Sequence, residues 1–335
     1  MSPPRLAPGA LLSCWLQLGL LLLLLAVISP KVFADGHPRI AVISDTNGRY
    51  GSTGYHLRVG TAIKRIIALQ PDLVISTGDM VAGQKPSPKL SRQELQAMWT
   101  SFHQQIRGPL EAAGIPVVMT PGNHDASAYS GFELERQLYS EYHRAHPPMF
   151  QPKTDGAFPY YFSTQLAGVN LVSLDATRAE KLSRQQIVWL EQQLSPGPTI
   201  VFGHLPLQPV SVGRERDIIS DLNLEKLLRD HGQAIYLSGH HHAYYPGRRA
   251  GIDMVSMGNL GGNLRRLLGA NVTTGFSFAI LDYNDQTLSH IRAFVGPDFD
   301  QPIDHASLPT SIGKGAQQLR RLEDPPTAES PQTKR

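Results

Sequence analysis

The 335-residue sequence contains a single cysteine, Cys14. That scarcity excludes internal disulfides, a cysteine-rich zinc site, a CxxC redox pair and an iron–sulfur cluster. Strong charge of one sign is also missing. Lys and Arg total 31 against 28 Asp and Glu, a formal +3, so no nucleic-acid partner is expected. There is no P-loop, no GxSxG elbow, no HExxH and no GxGxxG opening a βαβ unit. Nucleotide-hydrolase, serine-hydrolase and dinucleotide chemistry therefore have no support. What is present is a globular composition, 41% hydrophobic and 18% charged, with 13 histidines. Any metal must then be held by nitrogen and oxygen.

Residues 1–34 read as an export segment. Arg5 supplies a small positive region, Leu11 to Ile28 is almost wholly apolar, and Ser29-Pro30 breaks the run. Val32-Phe33-Ala34 offers the residues a signal peptidase reads, so cleavage is expected after Ala34, with a periplasmic or secreted destination. The alternative is an uncleaved anchor, since the run is about as long as the ~17–25 apolar residues of a membrane span. Only in that case is a membrane partner expected. Cys14 lies inside the segment, so the mature chain would carry no thiol.

Beyond Ala34 the chain alternates short apolar runs with helical periodicity. Arg39–Ser44, Asp72–Ser76, Pro116–Met119, Val169–Leu174, Thr199–Phe202 and Ala234–Leu237 read as buried strands. Leu57 to Ile67, Ser91 to Ile106, Ser183 to Leu194 and Leu222 to Leu228 read as helices, with Ser91 and Glu94 forming a capping box. Three more strands are expected between Ile252 and Phe294. This repetition argues for an α/β fold in one domain, 35–312. From about Gly313 the sequence turns polar, and 313–335 is expected to be a disordered tail.

One regularity organises the chemistry. Asp45, Asp79, Asn123, His204 and His240 each follow an apolar strand. Layered α/β folds gather their ligands at the carboxyl ends of strands. Two carboxylates, one amide and several imidazoles could therefore converge on one spot, a set suited to Zn, Mn or Fe. Taken singly, each aspartate or Gly-Asn pair is an ordinary turn residue. His204 alone could be a satisfied loop histidine, and His240-His241-His242 a solvated tract. Five such coincidences in order are the less economical reading. His241 would point away from its neighbours in an extended segment and is left out. Asp125 and Asp175 could each orient a ligand imidazole or be simple turn acids. Arg49 reads as a solvated loop arginine, with substrate phosphate as the alternative.

In order, the motifs are Asp45-Thr46-Asn47, Gly78-Asp79, Gly122-Asn123-His124-Asp125, Gly203-His204 and Gly239-His240-His241-His242. Together they resemble the calcineurin-like metallophosphoesterase family, and look closer to its phosphodiesterase and general phosphatase branch than to its protein-phosphatase branch. The resemblance implies a four-layered α/β/β/α sandwich and two divalent or mixed-valence ions (Mn, Zn or Fe). It implies Asp79 as the bridge between them, Asp45 and His242 on the first, and Asn123, His204 and His240 on the second. His124 would be the catalytic residue over the substrate. The implied activity is hydrolysis of a small-molecule phosphoester, monoester or diester, by a metal-activated hydroxide.

Asn47 departs from the pattern, because the family's first motif usually ends in a ligand histidine. The first site is therefore expected to bind its metal more weakly, with Asn47 as a weak amide ligand or with water in its place. Purple-acid-phosphatase relatives supply a tyrosine three residues after the second aspartate, where this sequence has Ala82. A scaffold that keeps the fold without turnover is the alternative function, and Asn47 is what favours it. The segments Gly83–Lys89 and Leu207–Arg216 are the expected pocket walls.

Overall fold

The first strand, β1 (Arg39–Ile43), serves two cores at once. Successive side chains of a strand point to opposite faces. Ile40 and Val42 join the core shared with the second sheet, while Ala41 and Ile43 join one built with helices. A strand buried on both faces reads as continuous apolar sequence, which is why Arg39–Ser44 lacks polar alternation. The computed structural model describes residues 37–322 apart from 154, 195 and 286. The expected export segment lies outside those residues. Among the described residues no helix is long and apolar enough to cross a membrane.

Two sheets carry the fold. The first has five strands in the order β11-β10-β1-β2-β3. Here β2 is Leu73–Ser76, β3 is Val117–Met119, β10 is Ser277–Asn284 and β11 is Thr287–Val295. The first three strands run parallel, and β10 and β11 close the sheet antiparallel. The second has eight strands in the order β12-β13-β8-β9-β7-β6-β5-β4. They are β4 (Phe162–Leu166), β5 (Val169–Ser173), β6 (Thr199–Phe202), β7 (Ala234–Ser238), β8 (Tyr245–Arg249), β9 (Ile252–Ser256), β12 (Ser311–Ile312) and β13 (Leu319–Arg321). Strands β5, β6, β7 and β9 are its parallel centre.

Helices cover the outer faces, completing the expected α/β/β/α order. Helix α1 (Leu57–Leu69), α2 (Arg92–Phe102) and α5 (Glu133–Ala145) pack Ile63, Met98, Trp99 and Tyr139 against the first sheet. Helix α6 (Arg184–Gln193) and α7 (Leu222–His231) pack Leu190, Leu224 and Leu228 into the core of the second. Two short helices, α3 (Gly108–Ala112) and α4 (Asn123–Ala126), complete the set. The Ser91–Glu94 capping box is present. The helix expected to reach Ile106 turns π-helical at His103–Arg107, where the wholly buried Arg107 donates to Glu111 at 2.8 Å and to the Pro147 carbonyl at 2.9 Å.

The expectation of a disordered tail from Gly313 is corrected over its first ten residues. β13 pairs with β8 and with β12, Leu319 is buried, and Arg321 donates to the carbonyls of His305 and Leu308. Polar composition hid this pair of strands at the sheet's rim because only Ile312 and Leu319 in it are buried. Residues 323–335 lie outside the described set. Replacing Leu319 with Ala should cost about 2 kcal/mol. For a chain of this size that is a fall in Tm of roughly 3 °C, readable by calorimetry.

Candidate metal centre

The parallel strands of each sheet end nearly level, with Ile43 opposite Ser76, Ser76 opposite Met119, and Phe202 opposite Leu237. The loops that follow therefore cluster at one end of each sheet. Asp45 follows β1, Asp79 follows β2, Asn123 follows β3, His204 follows β6, and His240 and His242 follow β7. Backbone contacts draw the loops together: Asp45 N donates to Gly78 O at 3.0 Å, and Gly239 N to His204 O at 2.9 Å. Ten non-glycine residues among those described have positive φ, and four of them are Asp45, Asp79, His240 and His242. Such backbone is costly for side chains with a Cβ and is concentrated at functional sites.

The side chains meet around His204. Its Nε2 lies 2.9 Å from Asn123 Oδ1, 3.2 Å from Asp79 Oδ2 and 3.2 Å from His240 Nδ1. Each partner has its hydrogen-bearing end occupied elsewhere. His204 Nδ1–H donates to Thr77 O at 2.8 Å, and Asn123 Nδ2 donates to Gln84 Oε1 at 2.6 Å. The Nε2 of His240 faces Asp217 Oδ2 at 3.7 Å. With neutral imidazoles four acceptor atoms thus crowd together, and a positive charge among them, a proton on His204 or a metal ion, relieves the crowding. Ligand bonds of about 2.0–2.2 Å place neighbouring donors roughly 2.8–3.6 Å apart in tetrahedral or octahedral shells, so these separations fit. Asp79, His204 and His240 also form the group whose ligand atoms all lie within 4.8 Å of one another.

The electrostatics agree. Burial pushes the His204 imidazole down, but the Asp79 carboxylate outweighs it and carries His204 up to about 9. A proton there takes the position a metal would fill. Burial raises Asp79, yet the charges of His204 and His124 hold it below the usual carboxylate range. Burial pushes His240 down to about 4, so its imidazole is neutral and ready to ligate.

A second pairing sits beside the first. His242 Nε2 lies 3.1 Å from Asp45 Oδ1, with its Nδ1 2.9 Å from Asn263 O. Asp45 is fully buried and also accepts from Ser44 Oγ and from His240 N, the latter at 3.0 Å. Burial works against its charge, but His242 lowers it overall. Asn47 lines the same cleft and donates its Nδ2 to Val81 O at 3.3 Å. His124 donates its backbone N–H to Asp79 Oδ1 at 2.9 Å, and its Nδ1 lies 2.7 Å from Gly83 O. Its Nε2 is 3.8 Å from Asp79 Oδ2, on the open side of the group.

Some expectations are corrected. Neither Asp125 nor Asp175 orients a ligand imidazole. Asp125 accepts from the backbone N–H groups of Met80, Val81 and Gly122 at 2.8–2.9 Å, tying the Asp79 loop to the Asn123 loop. Burial and the Asp79 charge raise it to about 7. Asp175 pairs with Arg136 at 2.6 Å. The residue facing a ligand ring is Asp217, itself held by Arg214 at 2.7 Å, and neither its spacing nor its neighbours mark it in the sequence. His241 is buried away from the group, accepting from Val210 N at 3.1 Å and lying 3.0 Å from Asp217 O. Of the expected wall segments, Gln84 and Arg214 do line the cleft; more of the wall comes from Gly48–Tyr50, Gly54–His56, Arg58, Gly261–Asn263, Arg265 and Phe276.

An α/β/β/α fold whose strand ends gather residues that could hold a metal ion defines the class. The calcineurin-like phosphoesterase family matches residues 38–244, and the chain belongs to it. A search of curated proteins gives no match. Among solved structures the chain is similar to the purple acid phosphatase PPD1 of yellow lupin (Lupinus luteus) seeds, with TM-score 0.59 and 19% identity over 82% of this chain and 54% of that one. It thus spans about half the length of the lupin protein. It is also similar to PhoD (TM-score 0.58, 11% identity, 88% and 73% covered). A dimetal phosphatase from Danio rerio gives TM-score 0.51 and 15% identity, with 77% and 96% covered. These likenesses are of fold.

Gly122 tests how tightly the loops meet. A Cβ there would lie 2.1 Å from Asp79 N and 2.2 Å from Asp79 Oδ1. Gly122→Ala should cost about 3 kcal/mol in denaturant unfolding and abolish Mn binding measured by metal analysis.

Proposed function

We propose that this chain hydrolyses a phosphoester at a dinuclear metal site. Asn123, His204 and His240 hold one cation, Asp45 and His242 with a weak contribution from Asn47 hold the other, and Asp79 bridges them. The observation that carries this reading is the convergence of Asp79 Oδ2, Asn123 Oδ1 and His240 Nδ1 on His204 Nε2. When bound, two such cations polarise phosphoryl oxygens and lower the pKa of a water towards neutrality.

The chain's own residues set the rest. Thr77 O fixes the tautomer of His204, and Gln84 turns the oxygen of Asn123 inward. Gly83 O takes the Nδ1 proton of His124, so Nε2 is the atom that meets the substrate. When Nε2 also carries a proton, the imidazolium can donate to a phosphoryl oxygen or pass that proton to the leaving oxygen. The Tyr50 ring, 5.3 Å from the His124 ring, steadies that imidazole from the solvent side. Asn47 brings no imidazole to the first cation, which is the weaker of the two in this reading. The motifs favour the phosphodiesterase and general phosphatase branch, and the buried Ala82 stands where the purple-acid type carries its tyrosine.

A scaffold without turnover is the second reading, and Asn47 is the residue that favours it. Hydrolysis of nitrophenyl phosphate and of bis-nitrophenyl phosphate with Mn or Zn added separates the two. Wild type should turn over at least one ester. Asp79→Asn should lower kcat/KM by at least 10³, and His124→Ala by about 10²–10⁴, the usual contribution of a general acid. A metal-loaded wild type inert towards both esters selects the scaffold.

A further inference from the structure

The cleft above the metal centre is larger and more basic than one phosphoryl group requires. It encloses about 1120 Å³, whereas whole-ligand pockets run roughly 300–1,000 Å³. Among its described lining residues are four arginines, Arg49, Arg58, Arg214 and Arg265, and one carboxylate, Asp79. The chain as a whole is near charge balance, so this excess is local.

Two of the four arginines are already engaged. Arg58 donates to Leu260 O at 2.7 Å and to Gly261 O at 2.9 Å, and its guanidinium covers the Phe276 ring. Arg214 is paired with Asp217. The other two are not. Arg265 is half-buried and donates Nη1 to His240 O at 2.6 Å, with no carboxylate partner among the described residues. That bond anchors it on the backbone of a ligand histidine. Arg49 is exposed on the Asn47–Gly54 loop, and its guanidinium has no hydrogen-bond or ion-pair partner among the described residues. A guanidinium cannot shed its charge, and its planar fork matches phosphate and carboxylate oxygens. Arg265 feels the charges of Asp45, Asp217 and Asp79 but is bonded to none of them, and Arg49 is bonded to no carboxylate among the described residues, so both forks are open to an entering anion.

Resting on the phosphoester reading above, we infer that the substrate carries a second anionic group besides the phosphoryl group at the metals, and that Arg265 and Arg49 hold it. The class is a phosphate ester bearing a further phosphate or carboxylate, and the cleft discriminates against esters with a neutral remainder.

Direct binding tests this without relying on turnover. Fructose 6-phosphate and fructose 1,6-bisphosphate are titrated by calorimetry into the Mn-loaded full chain carrying His124→Ala. The bisphosphate should bind at least tenfold tighter than the monophosphate. Adding Arg265→Gln, which keeps a donor for the His240 carbonyl, or Arg49→Ala should cut that ratio to about threefold or less. Monophosphate affinity and Mn content should stay unchanged within twofold. A ratio no greater than the statistical factor of two in the parent, or one that survives in both arginine variants, overturns the inference. Wild-type ester hydrolysis, run in parallel, reads the hydrolase proposal separately: a wild type without turnover that still binds the bisphosphate tenfold tighter sinks that proposal and leaves the anion site standing.

Discussion

The structure depends on mutual repulsion that only a cation can relieve. Four lone-pair atoms from four loops crowd into a space where each neighbour is another acceptor. Asp79 and His204 are both buried, and so nearly is Asn123. Water cannot screen them, and leaving such groups unpaired in the interior costs several kcal/mol. The surroundings prevent escape. Thr77, Gln84 and Asp217 occupy the proton-bearing ends, so no ring or amide can flip without losing a partner. The outer contacts thereby determine what the inner atoms can accept.

The sandwich makes this crowding possible by distributing the cost. β1 to β3 and β5 to β7 are buried on both faces and rigid, and their ends are in register. The loops can then hold strained backbone at Asp45, Asp79, His240 and His242 because the sheets beneath them do not yield. Asp125 adds a clamp between the second and third loops through three backbone N–H groups. The Thr120 hydroxyl donates to Leu174 O at 2.7 Å, linking the two sheets at the same end.

The strands and the residues at their ends were legible because burial on both faces writes itself as an unbroken apolar run. Asp45, Asp79, Asn123, His204 and His240 each stand just past such a run. Orientation was not legible. Asp217 lies in a loop without periodicity, and Asp125 looks in sequence like any acid after a histidine. Their roles depend on which backbone groups face them once the loops close. The wall of the cleft escaped notice for a similar reason. Arg49 and Arg265 are separated by most of the chain and line one cleft only once their loops have folded. At β13 a short strand next to the sheet's edge needed only one inward leucine, too weak a period for a polar stretch to display.

Whether the donors around His204 form a metal shell is decided by anomalous diffraction at the metal edge of crystals of the Mn- or Zn-loaded chain. A strong peak should appear bounded by Asp79, Asn123, His204 and His240, with a weaker one between Asp45, Asp79 and His242. A loaded protein with no peak among the first four residues, or with its metal held elsewhere, would contradict such a shell.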